Sequence, residues 1–307
     1  MIVVKFDGGL GNQMLQYACY VALQERYPHI QVVADIRQYS YSKVHNGLEL
    51  DRVFPISLNV LFNDKETKIL EIKKHRQLYR VINKAFKIGL NKFRVIKDIG
   101  VIRFVKDIGV MNHDLFHFDA NKNYYLEGQW GNEKYFENAK EIIKQRFTFK
   151  EPLDHTNQTE AKKFSDQNSV SVHIRRGDYI SSESDFVDLS GSDYYSKAFN
   201  FLNKTTENPV FYIFSDDIEW CRENFGWLTN YVHFFIKGNE GPKSYKDMHL
   251  MSLCKHNIIA NSTFSWWSAW LNNNPNKIVI CPKKLFYDEI MNTKIANEFY
   301  PETWIKM

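Results

Sequence analysis

The chain has 307 residues, 44% hydrophobic and 25% charged, a mix that excludes disordered, collagen-like and coiled-coil classes and fits a folded protein of two domains or one large one. A formal charge of +4 is too balanced for a nucleic-acid binder, and no window of about 18 uninterrupted apolar residues marks a membrane span. Cys19, Cys221, Cys254 and Cys281 are widely spaced with no C-x-x-C pair, so neither a zinc knuckle nor a disulfide framework is signalled and a reducing compartment is expected.

In chain order, a strand over Ile2 to Phe6, a glycine turn over Asp7 to Gly11, a helix over Asn12 to Tyr27 and a strand over Ile30 to Asp35 predict a βαβ opening. Met14, Leu15, Ala18, Val21, Ala22 and Leu23 share one helical face, and Pro28 ends the helix. Met1 runs directly into apolar Ile2, Val3 and Val4, which is not the pattern of a secretory leader. Residues 65 to 88 read as an amphipathic helix with a basic face. Between Asn63 and Lys106 thirteen basic residues meet only four acidic ones, so this segment holds more than the chain's whole positive surplus. The unit Arg94 to Val101 recurs as Arg103 to Val110, but two short copies build no solenoid. The polar stretch Glu151 to Ser169 is the expected linker between an N-terminal domain, 1–150 with a basic helical insertion at about 63–106, and a C-terminal domain, 151–307. Beyond it, strands over Val170 to Ile174, Val210 to Phe214, Tyr231 to Phe235, Asn257 to Ala260 and Lys277 to Cys281 alternate with helices over Asp193 to Leu202, Asp217 to Phe225, Ser244 to Cys254 and Thr263 to Leu271. That alternation predicts an α/β fold with a parallel doubly wound sheet, whose ligand site lies beyond the carboxyl ends of its strands.

Four constellations sit at such ends. Gly8-Gly9-Leu10-Gly11-Asn12-Gln13-Met14 is a tight turn whose backbone N–H groups can approach an anion, or a turn with no ligand. Gly9, Gly11 and Asp35 match a dinucleotide fingerprint, but Met14 takes the place of its third glycine. His173-Ile174-Arg175-Arg176-Gly177-Asp178-Tyr179 offers guanidiniums to a diphosphate, or merely an Arg–Asp pair that shapes the turn. In Phe214-Ser215-Asp216-Asp217 one carboxylate can accept hydrogen bonds from a base while the other caps the next helix. Asn261-Ser262-Thr263-Phe264-Ser265-Trp266-Trp267 opens a helix with hydroxyls and free N–H groups suited to phosphate, with Trp266, Trp267 and Trp270 read mostly as core. No D-x-D and no H-E-x-x-H occurs, so no metal site is expected.

Together and in this order, with Leu126-Glu127-Gly128-Gln129-Trp130 and His249-Leu250-Met251-Ser252-Leu253-Cys254, these motifs resemble the α-1,2-fucosyltransferases of glycosyltransferase family 11 over Phe6 to about Leu271. The resemblance implies a GT-B type fold of two Rossmann-like domains with parallel sheets facing a cleft. It implies GDP-fucose as donor, a galactose-terminated glycan as acceptor, lipid-linked acceptors included, and no metal or other cofactor. On this likeness Arg175 contacts the diphosphate, with Arg176 beside it or holding the site's shape; His173 with Asp216 or Asp217 reads guanine. Ser262 and Thr263 support the phosphates, and Gly9, Gly11 and Asn12 reach across from the other domain. The family inverts the anomeric centre, a galactose 2-hydroxyl attacking fucose C1 as GDP departs. Asp178 is the first choice for the base, with Glu183 and Asp185 as alternatives. Tyr39, Tyr41, Gln129 and Trp130 are the acceptor-side candidates. A cytoplasmic bacterial enzyme of glycan assembly is the implied setting, with 65–106 either touching anionic membrane or forming a solvated helix face.

Three other classes compete: a transferase of the same scaffold with another sugar nucleotide or acceptor hydroxyl, a nicotinamide oxidoreductase built on Gly9, Gly11 and Asp35, and a non-catalytic glycan-binding protein favoured only by the 23 Phe, 17 Tyr and 7 Trp.

Overall fold

The computed structural model describes residues 1–41, 45–60, 102–106, 117–180 and 184–307. They form two parallel sheets. The first contains β1 (Ile2–Lys5), β2 (Val32–Asp35), β3 (Ile102–Lys106) and β4 (Asn123–Glu127) in the order β2-β1-β4-β3. The second contains β5 (Asn168–Ile174), β6 (Pro209–Ser215), β7 (His233–Phe235), β8 (His256–Ile258), β9 (Val279–Cys281) and β10 (Ile305–Lys306) in the order β10-β9-β8-β5-β6-β7. Parallel sheets are covered on both faces, so their strands read as nearly unbroken apolar runs. Ser169 and Ser171 interrupt that run in β5, and both are buried and bonded: Ser169 Oγ donates to the Phe164 carbonyl at 2.8 Å, and Ser171 Oγ accepts from Asn257 at 2.7 Å.

The second sheet reverses its strand order once, between β5 and β8. At such a point the connections leave in opposite directions and open a crevice at the carboxyl ends. The glycine turn follows β1, and the sequence Arg175 to Asp178 follows β5.

The described helices are α1 (Leu10–Arg26), α2 (Gln38–Tyr41), α3 (Leu50–Val53), α4 (Lys140–Arg146), α5 (His155–Asp166), α6 (Tyr194–Thr205), α7 (Ile218–Asn224), α8 (Tyr245–Leu253), α9 (Thr263–Leu271) and α10 (Glu289–Phe299). Helices α2, α3, α4, α5 and α10 were not expected. The polar stretch 151–169 contains α5: Asp154 caps it by accepting the Asn157 N–H at 3.1 Å, and fully buried Phe164 packs edge-on against Tyr212 at 4.4 Å. One buried aromatic and a good cap suffice for a helix whose other faces are polar. The basic helix expected over 65–88 lies outside the described residues, as does the first copy of the short repeat. The end of that basic insertion is strand rather than helix, since β3 pairs with β4 from Ile102↔Asn123 to Lys106↔Glu127. Among the described residues no helix is long and apolar enough to cross a membrane.

The two halves meet where α1 crosses α9. A Cβ on Gly11 would stand 2.6 Å from both the Phe264 nitrogen and Thr263 Oγ1, so only glycine lets the helices approach this closely. Trp267 Nε1 donates to the Gly11 carbonyl at 3.0 Å, and Thr263 Oγ1 donates to Asn12 Oδ1 at 2.8 Å. Around this contact Trp267 stacks on Phe136 at 5.9 Å and meets Phe147 edge-on at 5.0 Å, pairs worth about 0.5–1.5 kcal/mol each beyond their burial. Trp266 Nε1 donates to the Phe299 carbonyl at 2.9 Å, which anchors the end of α10 to the same core. Gly11→Ala is expected to cost about 1–3 kcal/mol in urea unfolding, because the new methyl wedges backbone from backbone. Gly191→Ala, where an added Cβ meets nothing within 4 Å, should stay within about 0.5 kcal/mol of the parent.

Candidate active site

A cavity of about 940 Å³ lies beyond the carboxyl ends of β1 and β5 and takes its walls from both halves. Gly9, Gly11, Asn12, His173, Arg175, Asp178, Asp216, Ser262 and Thr263 border it, whereas Arg176 and Asp217 do not. Glu183 lies outside the described residues, and Asp185 is exposed and away from the cavity.

On the N-terminal side, Gly8 adopts φ +75°, and its carbonyl accepts from the Tyr39 hydroxyl and from Gln13 Nε2, each at 3.0 Å. Gln13 is fully buried and stitches this turn to the 45–49 loop: it donates to the Gly47 carbonyl at 2.8 Å and accepts the Glu49 N–H at 2.8 Å. The loop brings His45, Asn46 and Glu49 to the cavity. His45 has φ +57°, a conformation that costs a non-glycine residue about 1–3 kcal/mol, and its ring lies over Gly9. Burial raises the Glu49 carboxyl above its usual range, opposed by Arg52, by Asn46 and by the Leu10 N–H. A carboxylate of the chain therefore already meets the first N–H of α1.

On the C-terminal side, Arg175 donates to Asp178 Oδ1 from Nε at 3.0 Å, lies 2.7 Å from it through Nη2, and pairs through Nη1 with Asp216 Oδ2 at 2.9 Å. Asp216 Oδ1 accepts the Arg176 backbone N–H at 2.9 Å. Arg176 is buried, its guanidinium 3.3 Å from the Trp220 ring centroid, with bonds to Ser190 Oγ at 2.6 Å and Asp217 Oδ2 at 3.2 Å. Asp217 also caps α7 by accepting the Trp220 N–H at 3.3 Å. Among the alternatives the sequence left open, Arg176 holds the shape of the turn, Asp217 caps the next helix, and Asp178 forms the Arg–Asp pair with Arg175; Asp216, a candidate to read guanine, accepts from Arg175 and from the Arg176 N–H. In each adjacent pair one member faces the cavity, Arg175 and Asp216, while Arg176 and Asp217 bond each other behind it.

His173 is only 6% exposed, and its Nδ1 has no partner among the described residues. Burial, followed by Arg175, depresses its pKa to about 3, so the imidazole is neutral. Ser262 caps α9 by accepting the Phe264 N–H at 3.3 Å, with Thr263 beside it on the cavity wall.

The sequence reading missed Asp247. It lies in the first turn of α8, borders the cavity, and burial pushes its carboxyl up to about 7 against the opposing Asn239 amide, with Glu240 adding to the rise. Asn239 donates to it at 2.7 Å and exchanges bonds with Asn157 of α5 at 2.9 and 3.0 Å. In sequence, an Asp there reads as ordinary charge at a helix start.

Of the acceptor-side candidates, Gln129 borders the cavity. Trp130 does not: it is fully buried, edge-on to Tyr135 at 5.6 Å. Tyr39 spends its hydroxyl on Gly8 outside the cavity lining, and the side chain of Tyr41 lies outside the described residues. The dinucleotide features also serve structure. Asp35 binds Arg37 at 2.8 and 3.0 Å and Tyr125 at 2.7 Å, and Met14 is buried in the core.

The whole chain, residues 1–307, matches the family model for glycosyl transferase family 11. It is 35% identical to an α-1,2-colitosyltransferase of Escherichia coli, covering 100% of this chain and 99% of the relative. It is 33% identical to the O-antigen biosynthesis glycosyltransferase WbnK of Escherichia coli, covering 91% and 93%. A shorter match, 32% identical, covers 45% of this chain and 40% of galactoside α-(1,2)-fucosyltransferase 1 of Leontocebus fuscicollis. Among solved structures, the fucosyltransferase NodZ from Bradyrhizobium superposes with a TM-score of 0.50 at 11% identity, covering 87% of this chain and 91% of NodZ. The fold of the chain is GT-B.

Asp247 keeps its proton to about pH 7 when folded, whereas its ordinary carboxyl value is 3.8. Between these values the folded chain binds more protons than the unfolded one, so this group makes stability fall as pH rises. Asp247→Asn should therefore unfold at a higher temperature than the parent at pH 8, and the gain should shrink as pH falls through 7 and vanish only near or below pH 3.8, as calorimetry across that range would read.

Proposed function

The chain belongs to glycosyl transferase family 11 and is a glycosyltransferase, and on that premise we propose that it transfers L-fucose from GDP-β-L-fucose to the 2-hydroxyl of a terminal β-galactoside with inversion at C1. The observation that carries this reading is the meeting of Arg175 with the N-terminus of α9 on one wall of the cavity. A guanidinium offers paired N–H donors to phosphate oxygens, and the first turn of a helix offers more. As the C1–O bond to the diphosphate breaks, these donors take up the growing negative charge, the part a metal plays in other transferases. No metal is needed in this account.

Asp216 and Asp178 hold the Arg175 guanidinium from two sides and so fix its plane. The nucleoside lies deeper on the C-terminal side. A guanine edge carries two adjacent N–H donors, which the Asp247 carboxylate accepts on ionising, and neutral His173 is a further contact there. Gln129, Asn132 and Tyr135 of the opposite wall are left to the acceptor.

A second donor is favoured by the full-length similarity to a colitosyltransferase. Colitose is fucose without its 3-hydroxyl, so both sugars suit the same nucleotide and diphosphate contacts. Purified protein incubated with GDP-fucose or GDP-colitose, a panel of β-galactosides and EDTA should give an α-1,2-linked product by NMR, with GDP released in equal amount. Turnover of the colitosyl donor alone would move the assignment to that sugar, and dependence on added metal would overturn the leaving-group account. Arg175→Ala should lower kcat by about 10²–10³, the effect of losing one donor aimed at developing charge.

A further inference from the structure

The transfer proposed above needs a base for the acceptor hydroxyl, and the cavity carboxylates are committed elsewhere. Asp178 and Asp216 hold Arg175. Glu49 is bound by Arg52 and Asn46, Asp247 by Asn239, and Glu240 accepts the Gly238 N–H at 3.1 Å. Two histidines border the cavity. His173 is enclosed on the donor side, whereas His45 is exposed and comes from the opposite half.

Resting on the reading of this cavity as a site of deoxyhexosyl transfer, we infer that His45 is the catalytic base that takes the proton of the acceptor hydroxyl. Placement is the first ground. His45 sits over Gly9, where a Cβ would stand 3.2 Å from the imidazole Cγ, and within electrostatic reach of Arg175 and Asp178 across the cavity. In an inverting displacement the incoming hydroxyl and the departing diphosphate lie on opposite faces of the sugar. The base and the diphosphate-binding arginine must then come from different walls, as His45 and Arg175 do.

The backbone is the second ground. His45 holds φ +57° without being glycine, and Gln13 fixes the loop just beyond it through the Gly47 carbonyl and the Glu49 N–H. A strained residue kept in place by its surroundings at a cavity wall is the pattern of functional placement. The third ground is protonation. Partial burial and then Arg175 lower the imidazole pKa, with Asp178 opposing, so the ring is unprotonated at neutral pH, and the part of the side chain left exposed lets it return a proton to water.

In the step itself the acceptor oxygen forms a bond to C1 while the bond from C1 to the phosphate oxygen breaks, its electron pair leaving on GDP. The hydroxyl proton passes to the free imidazole nitrogen of His45, and the imidazolium then releases it to water.

His45→Ala and His45→Gln in the full chain test this, with whichever donor, fucosyl or colitosyl, the parent turns over. In both variants kcat should fall by about 10²–10⁴ while GDP affinity, read by calorimetry, stays unchanged and so reports an intact fold. Added imidazole should restore part of the turnover of His45→Ala and leave the parent unaffected. Parental kcat in His45→Gln overturns the inference, as does a rise in acceptor KM alone, or a loss of kcat that imidazole does not rescue. A parent that turns over neither donor overturns the reading of the cavity, and His45 as base falls with it; an active parent with an active variant removes His45 alone.

Discussion

The close approach of α1 to α9 at Gly11 is the constraint on which the rest of the molecule depends. Each half brings only part of the cavity lining, Gly9 to Asn12 after β1 and His173, Arg175 and Asp178 with β5. The missing side chain at Gly11 lets the two helices touch, and the Trp267 indole and Thr263 hydroxyl then fix the contact by hydrogen bonds. Residues that make the seam also wall the cavity: Gly11, Asn12 and Thr263 do both. Stability of the interface and geometry of the site are therefore one property, and a change that loosens the seam widens the cleft.

Electrostatically, the site is built by enclosing one arginine and presenting another. Arg176 is buried behind Trp220 and bonded to Ser190 and Asp217, so its charge is spent on the turn. Arg175 is presented between Asp178 and Asp216, and the side chain of Asp178 is 56% exposed. These pairs use one N–H each on Nε, Nη1 and Nη2, leaving a donor on each terminal nitrogen for a diphosphate. The N-terminus of α9 supplies further N–H groups on the same wall. By contrast, the N-terminus of α1 already has the Glu49 carboxylate against it, so the glycine turn acts through packing and loop placement more than through anion binding.

Much of this arrangement was legible in the sequence, for a physical reason. In a doubly wound fold the unusual residues after apolar strands must converge at the carboxyl edge, so His173, Arg175, Asp216 and Thr263 could be grouped without coordinates. Which of two neighbours faces the cavity was not legible, because Arg175 and Arg176, like Asp216 and Asp217, are adjacent residues of one type. Asp247 was hidden because its raised pKa comes from burial, a tertiary property. Helix α5 was hidden because its stabilising contacts, Phe164 on Tyr212 and Asn157 on Asn239, are long-range. His45 and Glu49 belong to a loop with no motif of its own. They reach the site through Gln13, a polar residue in an apolar helix whose amide bonds both the glycine turn and the folded loop.

That loop also joins the two halves a second time. Asn46 Nδ2 donates to the Gly241 carbonyl at 3.1 Å and Arg52 Nη1 to the Pro242 carbonyl at 2.6 Å, while Gln13 holds the same loop to α1. The segment carrying the inferred base is thus bonded to both halves at once. A proton acceptor fixed only to the N-terminal half would move relative to Arg175 with any flexing of the seam, and transfer rates fall steeply when reacting groups shift by an ångström. Bonding the loop across the cleft removes that freedom, so the strain at His45 and the polar burial of Gln13 serve one end: holding the proton acceptor and the diphosphate-binding arginine at a set separation in a site divided between two halves.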